Sequence, residues 1–387
     1  MYDRAYERKI WMDALEGYRK RIDEIDSEIT RLFEERMDVV LKVAEYKRKN
    51  NLEIFHKGRE EVVIKKNIDR LKNKDYEREI EKFYNSLMEV SRELQGRKLN
   101  REKENLDIKE FKINEEDIIG FQGVLGSFSE EALIDYFGEN TKSKSYETFE
   151  DVFKGIDKGE IKYGILPVEN SCTGGISEVH DLLIKYDFHI VGEESIKISH
   201  NLLGVKGSSL KNIKEVYSHA QGFSQSSDFL KEHKDLLLIQ FKNTAISAKK
   251  VMDSKDKTLS AIASKRAAEI YNLDILKEGI NNLDSNKTRF IIVAKELLKS
   301  KDSNKVSVVF SLEDKPGTLY KLLKYFSENN INMSRIESRP TKNEAWKYYL
   351  YIDFEGGLYN FGVLKAIDLI KLNSQYFKLL GWYKKGI

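Results

Sequence analysis

The sequence predicts a multidomain chain that is all-α first, α/β in the middle and α+β at its end. Residues 10 to 99 contain no proline, almost no glycine, and apolar positions that recur every three or four residues, the period of one helix face. From 117 to 297 short β-rich runs alternate with helical stretches, and from 305 to 387 the order reads strand, helix, strand, strand, helix, strand. The last pattern is that of a small ferredoxin-like unit. Charged stretches at 100 to 117 and 295 to 305 read as linkers, and 387 residues exceed what one hydrophobic core usually serves.

Composition removes several classes of partner. Sixty-six bases stand against 64 acids, a net charge of +2, which suggests neither nucleic acid nor a membrane surface. One cysteine, Cys172, excludes an internal disulfide, and six scattered histidines show no metal-site spacing, so no metal and no cofactor are expected. The first twenty residues mix both charges, and no run approaches 18 apolar residues; the expectation is a cytoplasmic protein.

In the first helix Leu15, Tyr18, Ile22, Ile25, Ile29 and Leu32 form one apolar seam, and the next seam position is Arg36. A guanidinium is costly to bury without an anionic partner. Lys47, eleven residues on, returns to nearly the same face, and the third helix runs Ile80, Tyr84, Leu87 into Ser91 and Gln95. Snorkelling bases on a plain coiled coil would account for one inward arginine, but four inward polar groups on two helices go beyond that. From about Asp13 to Asn50 the helix would span roughly 57 Å, too long for its own chain to cover, which predicts an intertwined dimer. Arg19, about 25 Å from Arg36 along the axis, would serve the partner's pocket.

The segments YRKRIDEIDSEITRLFEERMDVVLKVAEYK, GREE and SLMEVSRELQ resemble the all-helical chorismate mutases. The resemblance implies that Arg19 and Arg36 bind the two carboxylates of chorismate with Arg59 in support, and that Lys47 and Gln95 hydrogen-bond the ether oxygen. Glu60 and Ser91 would hold the ring hydroxyl and a carboxylate. His56 stands where an acidic residue is common.

In the α/β part, IIGFQGVLGSFSEEAL reads as strand, glycine-containing loop and helix, an arrangement that offers backbone N–H groups to an anion. YGILPVENSCTGGISEVHDLL crowds a carboxylate, an amide, two hydroxyls and two glycines into one turn, and VYSHAQGFSQ and NKTRFIIVA flank apparent strands where α/β sheets open their crevices. Together these segments resemble the prephenate dehydratase domain, two α/β lobes like a periplasmic binding protein with the site in the cleft. The resemblance implies Thr288 as the catalytic residue, shaped by Arg289 and Phe290, with Asn170, Ser171, Gln221 and Arg289 at the substrate. Glu169 is a candidate proton source. Ala220 and Asn243 depart from the family's usual proline and serine, and Cys172 is expected as a small buried neighbour.

Residues 305 to 381 carry KPGTLYKLLKYF and NMSRIESRP, and resemble the ACT domain fused to prephenate dehydratases. That likeness implies an L-phenylalanine site between paired domains, lined by Gly317, Thr318, Leu319 and Tyr320, by Glu337, Ser338, Arg339 and Pro340, and by Asn332. The expected whole is a homo-oligomeric, at least dimeric enzyme taking chorismate to prephenate and prephenate to phenylpyruvate under feedback by phenylalanine. Two rival readings are a non-catalytic sensor of aromatic metabolites and a mutase whose remainder only regulates.

Overall fold

The computed structural model describes residues 2–50, 57–100, 108–300, 302–313, 315–341, 347–358 and 360–386. The chain divides into two compact units, Met1–Leu106 and Asp107–Ile387. No helix among the described residues is long and apolar enough to cross a membrane, and no group of three or more metal-binding side chains is found among them.

The first unit is three helices: α1 (Tyr2–Lys49), α2 (Lys57–Asp69) and α3 (Glu77–Asn100). With no proline to stop it, α1 begins eleven residues before the expected Asp13, and its 48 residues span about 72 Å. In its second half Met37 and Ala44 are buried, whereas the seam from Leu15 to Leu32 lies 44–70% exposed.

The second unit opens with β1 (Ile119–Gln122), α4 (Phe128–Phe137), β2 (Ser143–Tyr146), α5 (Phe149–Asp157), β3 (Tyr163–Asn170), the short β4 (Gly174–Gly175), α6 (Ser177–Lys185) and β5 (His189–Lys197). The chain then crosses to a second lobe made of β6 (Asn201–Gly204), β7 (Glu215–Ser218), α7 (Ala220–Gln225), α8 (Ser227–Glu232), β8 (Leu237–Gln240), α9 (Thr244–Ser254), β9 (Leu259–Ala263), α10 (Lys265–Ile270) and β10 (Asp274–Lys277). It returns as β11 (Lys287–Ala294). The lobe-one sheet runs β5-β11-β3-β1-β2 and the lobe-two sheet β10-β6-β9-β7-β8. Two crossovers, 198–200 and 278–286, join the lobes and bond to each other, Ile198 N–H to Asn286 O and Ile280 N–H to His200 O, both 2.9 Å. A cleft with two such straps is the two-lobed architecture expected.

The last part, β12 (Lys305–Leu312), α11 (Thr318–Glu328), β13 (Met333–Pro340), β14 (Tyr348–Glu355), α12 (Phe361–Leu372) and β15 (Ser374–Tyr383), has the strand order β13-β14-β12-β15 of a ferredoxin-like unit. Its sheet does not stand apart, because β15 pairs with β5 where Gly381 lies opposite Ile190. A Cβ at Gly381 would sit 2.1 Å from the Ile190 carbonyl oxygen, so only glycine lets the strands meet. The apolar cluster under lobe one continues into Val309, Tyr351, Leu380 and Tyr383.

Candidate active sites

In the helical unit Arg36 Nη1 donates to Ser91 Oγ on α3 at 2.5 Å and Nη2 lies 3.4 Å from Met88 Sδ. Ser91 in turn donates to Leu87 O at 2.6 Å, so its hydroxyl can accept the arginine. Burial pushes the Arg36 guanidinium down from its ordinary value. One turn beyond Ser91, Gln95 is 9% exposed and its Oε1 has no hydrogen-bond partner among the described residues. Lys47 is half-buried on α1. Arg36 borders a mostly apolar cavity of about 700 Å³ lined also by Ile29, Leu32, Phe33, Tyr84 and Leu87. Arg19 is exposed, 3.9 Å from Glu16. The side chains of Arg59 and Glu60, and all of His56, lie outside the described residues.

The cleft of the second unit holds a cavity of about 440 Å³, walled by Pro167, Asn170, Thr288 and Phe290 from lobe one and by His219, Gln221, Gln225 and Thr244 from lobe two. Asn170 organises it. Its Nδ2 donates to Thr288 Oγ1 at 2.9 Å and to Asn286 Oδ1 at 2.8 Å. Its Oδ1 accepts from Cys172 N–H at 3.0 Å and from Thr173 N–H at 3.1 Å, locking the turn that follows β3. Because Thr288 accepts from Asn170, its own hydroxyl proton remains available to a ligand. Gln221 Nε2 reaches across the cleft to Thr173 Oγ1 at 3.1 Å. Ala220 is the first residue of α7, a position that suits alanine and proline alike, and Asn243 caps α9 through Ile246 N–H at 2.7 Å as a serine could.

Four expectations need correction. Successive residues of a strand face opposite ways, so with Thr288 and Phe290 at the cavity Arg289 turns to the far face of the sheet. There it contacts Glu169 at 2.9 Å, Glu193 at 2.9 Å and Asp353 of β14 at 2.8 Å. Glu169, beside Asn170, likewise points away from the cavity. Ser171 does not line it either: its Oγ accepts from Lys287 N–H at 3.0 Å and ties two loops together. Cys172 is exposed rather than buried. Conversely, His200 and Gln225, from the first crossover and the end of α7, line the cavity although nothing in their sequence context marked them.

The face that receives Arg289 is a buried ionic junction between lobe one and the ferredoxin-like part. Lys305 lies 2.6 Å from Glu193 and Ser307 Oγ donates to Asp353 Oδ1 at 2.6 Å. Full burial acts to raise the Asp353 carboxyl, yet Arg289 and Lys305 hold it down at about 2. On β13, Arg335 donates to His180 Nε2 of α6 at 2.9 Å and also pairs with Glu337. Burial first, then the Arg335 charge, pushes His180 down to about 4. Burial alternates along β13, so Glu337 and Arg339 face lobe one while Ser338 faces away; the strand does not bring these three together on one face. Leu319 and Tyr320 are exposed at the start of α11, behind Gly317, which caps it at φ 81°. Asn332 is exposed ahead of β13.

Three family models match in this order: chorismate mutase type II over residues 18–96, prephenate dehydratase over 119–297 and the ACT domain over 306–358. The bifunctional chorismate mutase/prephenate dehydratase of Aquifex aeolicus is 33% identical over 377 residues, covering 97% of this chain and 99% of that protein. The prephenate dehydratase of Methanocaldococcus jannaschii is 41% identical over 267 residues, 67% of this chain and 94% of that one. Among solved structures, prephenate dehydratase from Arthrobacter aurescens in complex with L-Phe superposes with a TM-score of 0.64 at 27% identity, covering 69% of this chain and 90% of that one.

Proposed function

Since this chain belongs to the family of bifunctional chorismate mutase/prephenate dehydratases with an ACT regulatory domain, we propose the following division of labour among its residues. The helical unit rearranges chorismate to prephenate. Arg36 and Arg19 of the partner subunit take the two carboxylates, with Arg59, Glu60 and Ser91 completing the pocket. Lys47 and Gln95 face the ether oxygen, on which negative charge develops in the transition state. No proton moves, so catalysis consists of holding a compact conformer and stabilising that charge. The unpartnered Gln95 Oε1 and the exposed seam of α1 support a pocket that a second α1 completes, hence an intertwined dimer.

In the cleft, prephenate loses its ring hydroxyl and its ring carboxylate and becomes aromatic. The observation that carries this assignment is the Thr288 hydroxyl, held by Asn170 with its proton free to donate to the departing oxygen. Gln221 closes over the substrate from the second lobe. L-Phenylalanine binds at the ACT domain, with Gly317, Leu319, Tyr320 and β13 as its assigned lining, and lowers dehydratase activity. From soluble metabolites as substrates and a single cysteine, the cytoplasm is the compartment we propose.

Purified protein given chorismate alone should consume it and release phenylpyruvate, and added phenylalanine should reduce the phenylpyruvate formed. Prephenate accumulating alone would leave only a mutase, and no turnover would return the chain to a binding protein.

A further inference from the structure

The dehydratase half-reaction does not balance without an acid. Prephenate enters as a dianion and departs as the phenylpyruvate anion, carbon dioxide and water, so each turnover consumes one proton. No carboxyl group lines the cleft cavity among the described residues; the side chains there that can carry the proton are His200, His219 and Lys242.

Their bonds separate them. Lys242 is 77% exposed at the mouth, 3.8 Å from Glu147, where solvent shares its proton. His219 caps α7, its Nδ1 accepting Gln221 N–H at 3.3 Å, so a second proton on that ring would cost the cap. His200 is arranged differently. Its Nε2 lies 2.8 Å from Gln225 Oε1, an atom that can only accept, which places the ring hydrogen on Nε2 and the lone pair on Nδ1. That Nδ1 is buried and has no partner among the described residues, although the residue is only 2% exposed. A buried acceptor left open calls for a partner, which a water, a ligand or a reacting proton can supply. The ring is well held: Phe128 lies edge-on at 5.5 Å, and the backbone N–H donates to Asn281 Oδ1 at 2.6 Å.

We propose that His200 is the acid of the dehydratase reaction: substrate binding uncovers the buried Nδ1, which gives its proton to the departing ring hydroxyl while Thr288 orients that oxygen. This rests on the dehydratase reading above. The ring C–O bond breaks with its electron pair on oxygen, which takes the Nδ1 proton and leaves as water. The bond from the ring to its carboxylate breaks next to it, its pair completes the aromatic ring, and carbon dioxide departs. His200 is left neutral with Nε2–H still on Gln225, and solvent restores its proton between turnovers.

Burial holds the ring below the usual histidine value, with the Gln225 bond opposing. Two substrate carboxylates in the same cavity favour the imidazolium, so the proton arrives with the substrate. Phe128 of α4, Gln225 of α7 and Asn281 of the second crossover, which pack on the ring, are uncharged; the charged or titratable groups facing the cavity are His219 and Lys242.

His200→Asn retains an amide near Nδ1 but no transferable proton. Its kcat on prephenate should fall about 10²- to 10⁴-fold with KM little changed. The decline of wild-type kcat toward high pH, where the bound-state ring loses its proton, should vanish from the residual rate. His219→Asn should keep that decline. Gln225→Glu, which sets a carboxylate on Nε2, should move it to higher pH, an effect no merely structural role produces. A His200→Asn enzyme within threefold of wild type, or a decline unmoved by Gln225→Glu, overturns the assignment. Wild-type protein that makes no phenylpyruvate from prephenate overturns the dehydratase reading itself, and this acid with it.

Discussion

A guanidinium among apolar neighbours must be answered by something, and among the described residues Arg36 is answered only in part, by one serine hydroxyl and one thioether. A thioether is a weak acceptor, so Nη2 keeps donor capacity, and Arg36 lines a cavity. A lysine there would keep the charge but lose the planar fork that grips a carboxylate at two points. Losing one charge-assisted hydrogen bond costs about 1.5–3 kcal/mol. Arg36→Lys should therefore lower mutase kcat/KM by about 10- to 100-fold while the rate on supplied prephenate stays at wild type. Equal losses in both assays would mean that Arg36 supports the fold, not the site. Arg36, Ser91 and Gln95 were legible in sequence because each interrupts an apolar stripe at helical spacing. His200 was not, since a single histidine between buried runs looks like any core histidine, and only the cavity and Gln225 distinguish it.

Period decides what a motif means at the level of the element. Threonine, arginine and phenylalanine stand together in the text at 288–290, but a strand sends Arg289 to the face opposite its neighbours. The same alternation takes Glu169 away from Asn170 and Glu337 away from Ser338. Resemblance pointed to segments, and strand geometry divides each of them between a cleft face and a junction face. For α1 the relevant quantity is length. At about 72 Å it runs far past the 24 residues of α3, and Ile22 and Ile25 remain 55% and 44% exposed. Burying an isoleucine contributes about 1.5–3 kcal/mol, so such a seam favours a partner strongly. The protein should sediment as a dimer or larger. Ile22→Glu with Ile25→Glu should reduce mutase activity at least tenfold and spare dehydratase activity. A wild-type monomer with full mutase activity would refute the intertwined pocket.

Across the second unit, one sheet runs from β13 at the ACT edge to β2 at the edge of lobe one, and the ionic junction lies on its face beneath Thr288 and Asn170. None of this was legible, because sequence patterns identify strands but not which edges meet, and Arg289 and Asp353 are 64 residues apart. A charged residue in a strand ordinarily reads as a solvent-facing one. Here Arg335, Glu169 and Arg289 form a chain from the ACT strand to the two strands that carry the cleft residues, so a change at β13 has a physical route to Thr288. The junction's acid sensitivity follows from the direction of its shifts. His180 is depressed to about 4, so between roughly pH 6.5 and 4 the unfolded chain binds a proton that the folded chain refuses, and stability falls as pH falls through that window. Asp353, depressed to about 2, adds a loss of the same sign only below about pH 4. The transition of this unit in scanning calorimetry should therefore move to lower temperature from pH 6.5 to 4. In His180→Gln, whose amide oxygen can still accept from Arg335 but cannot titrate, that movement should be much smaller. Parallel curves for the two proteins would show that the ring binds its proton as readily in the folded chain as in the unfolded one, and the junction's acid sensitivity would have to come from its carboxylates alone.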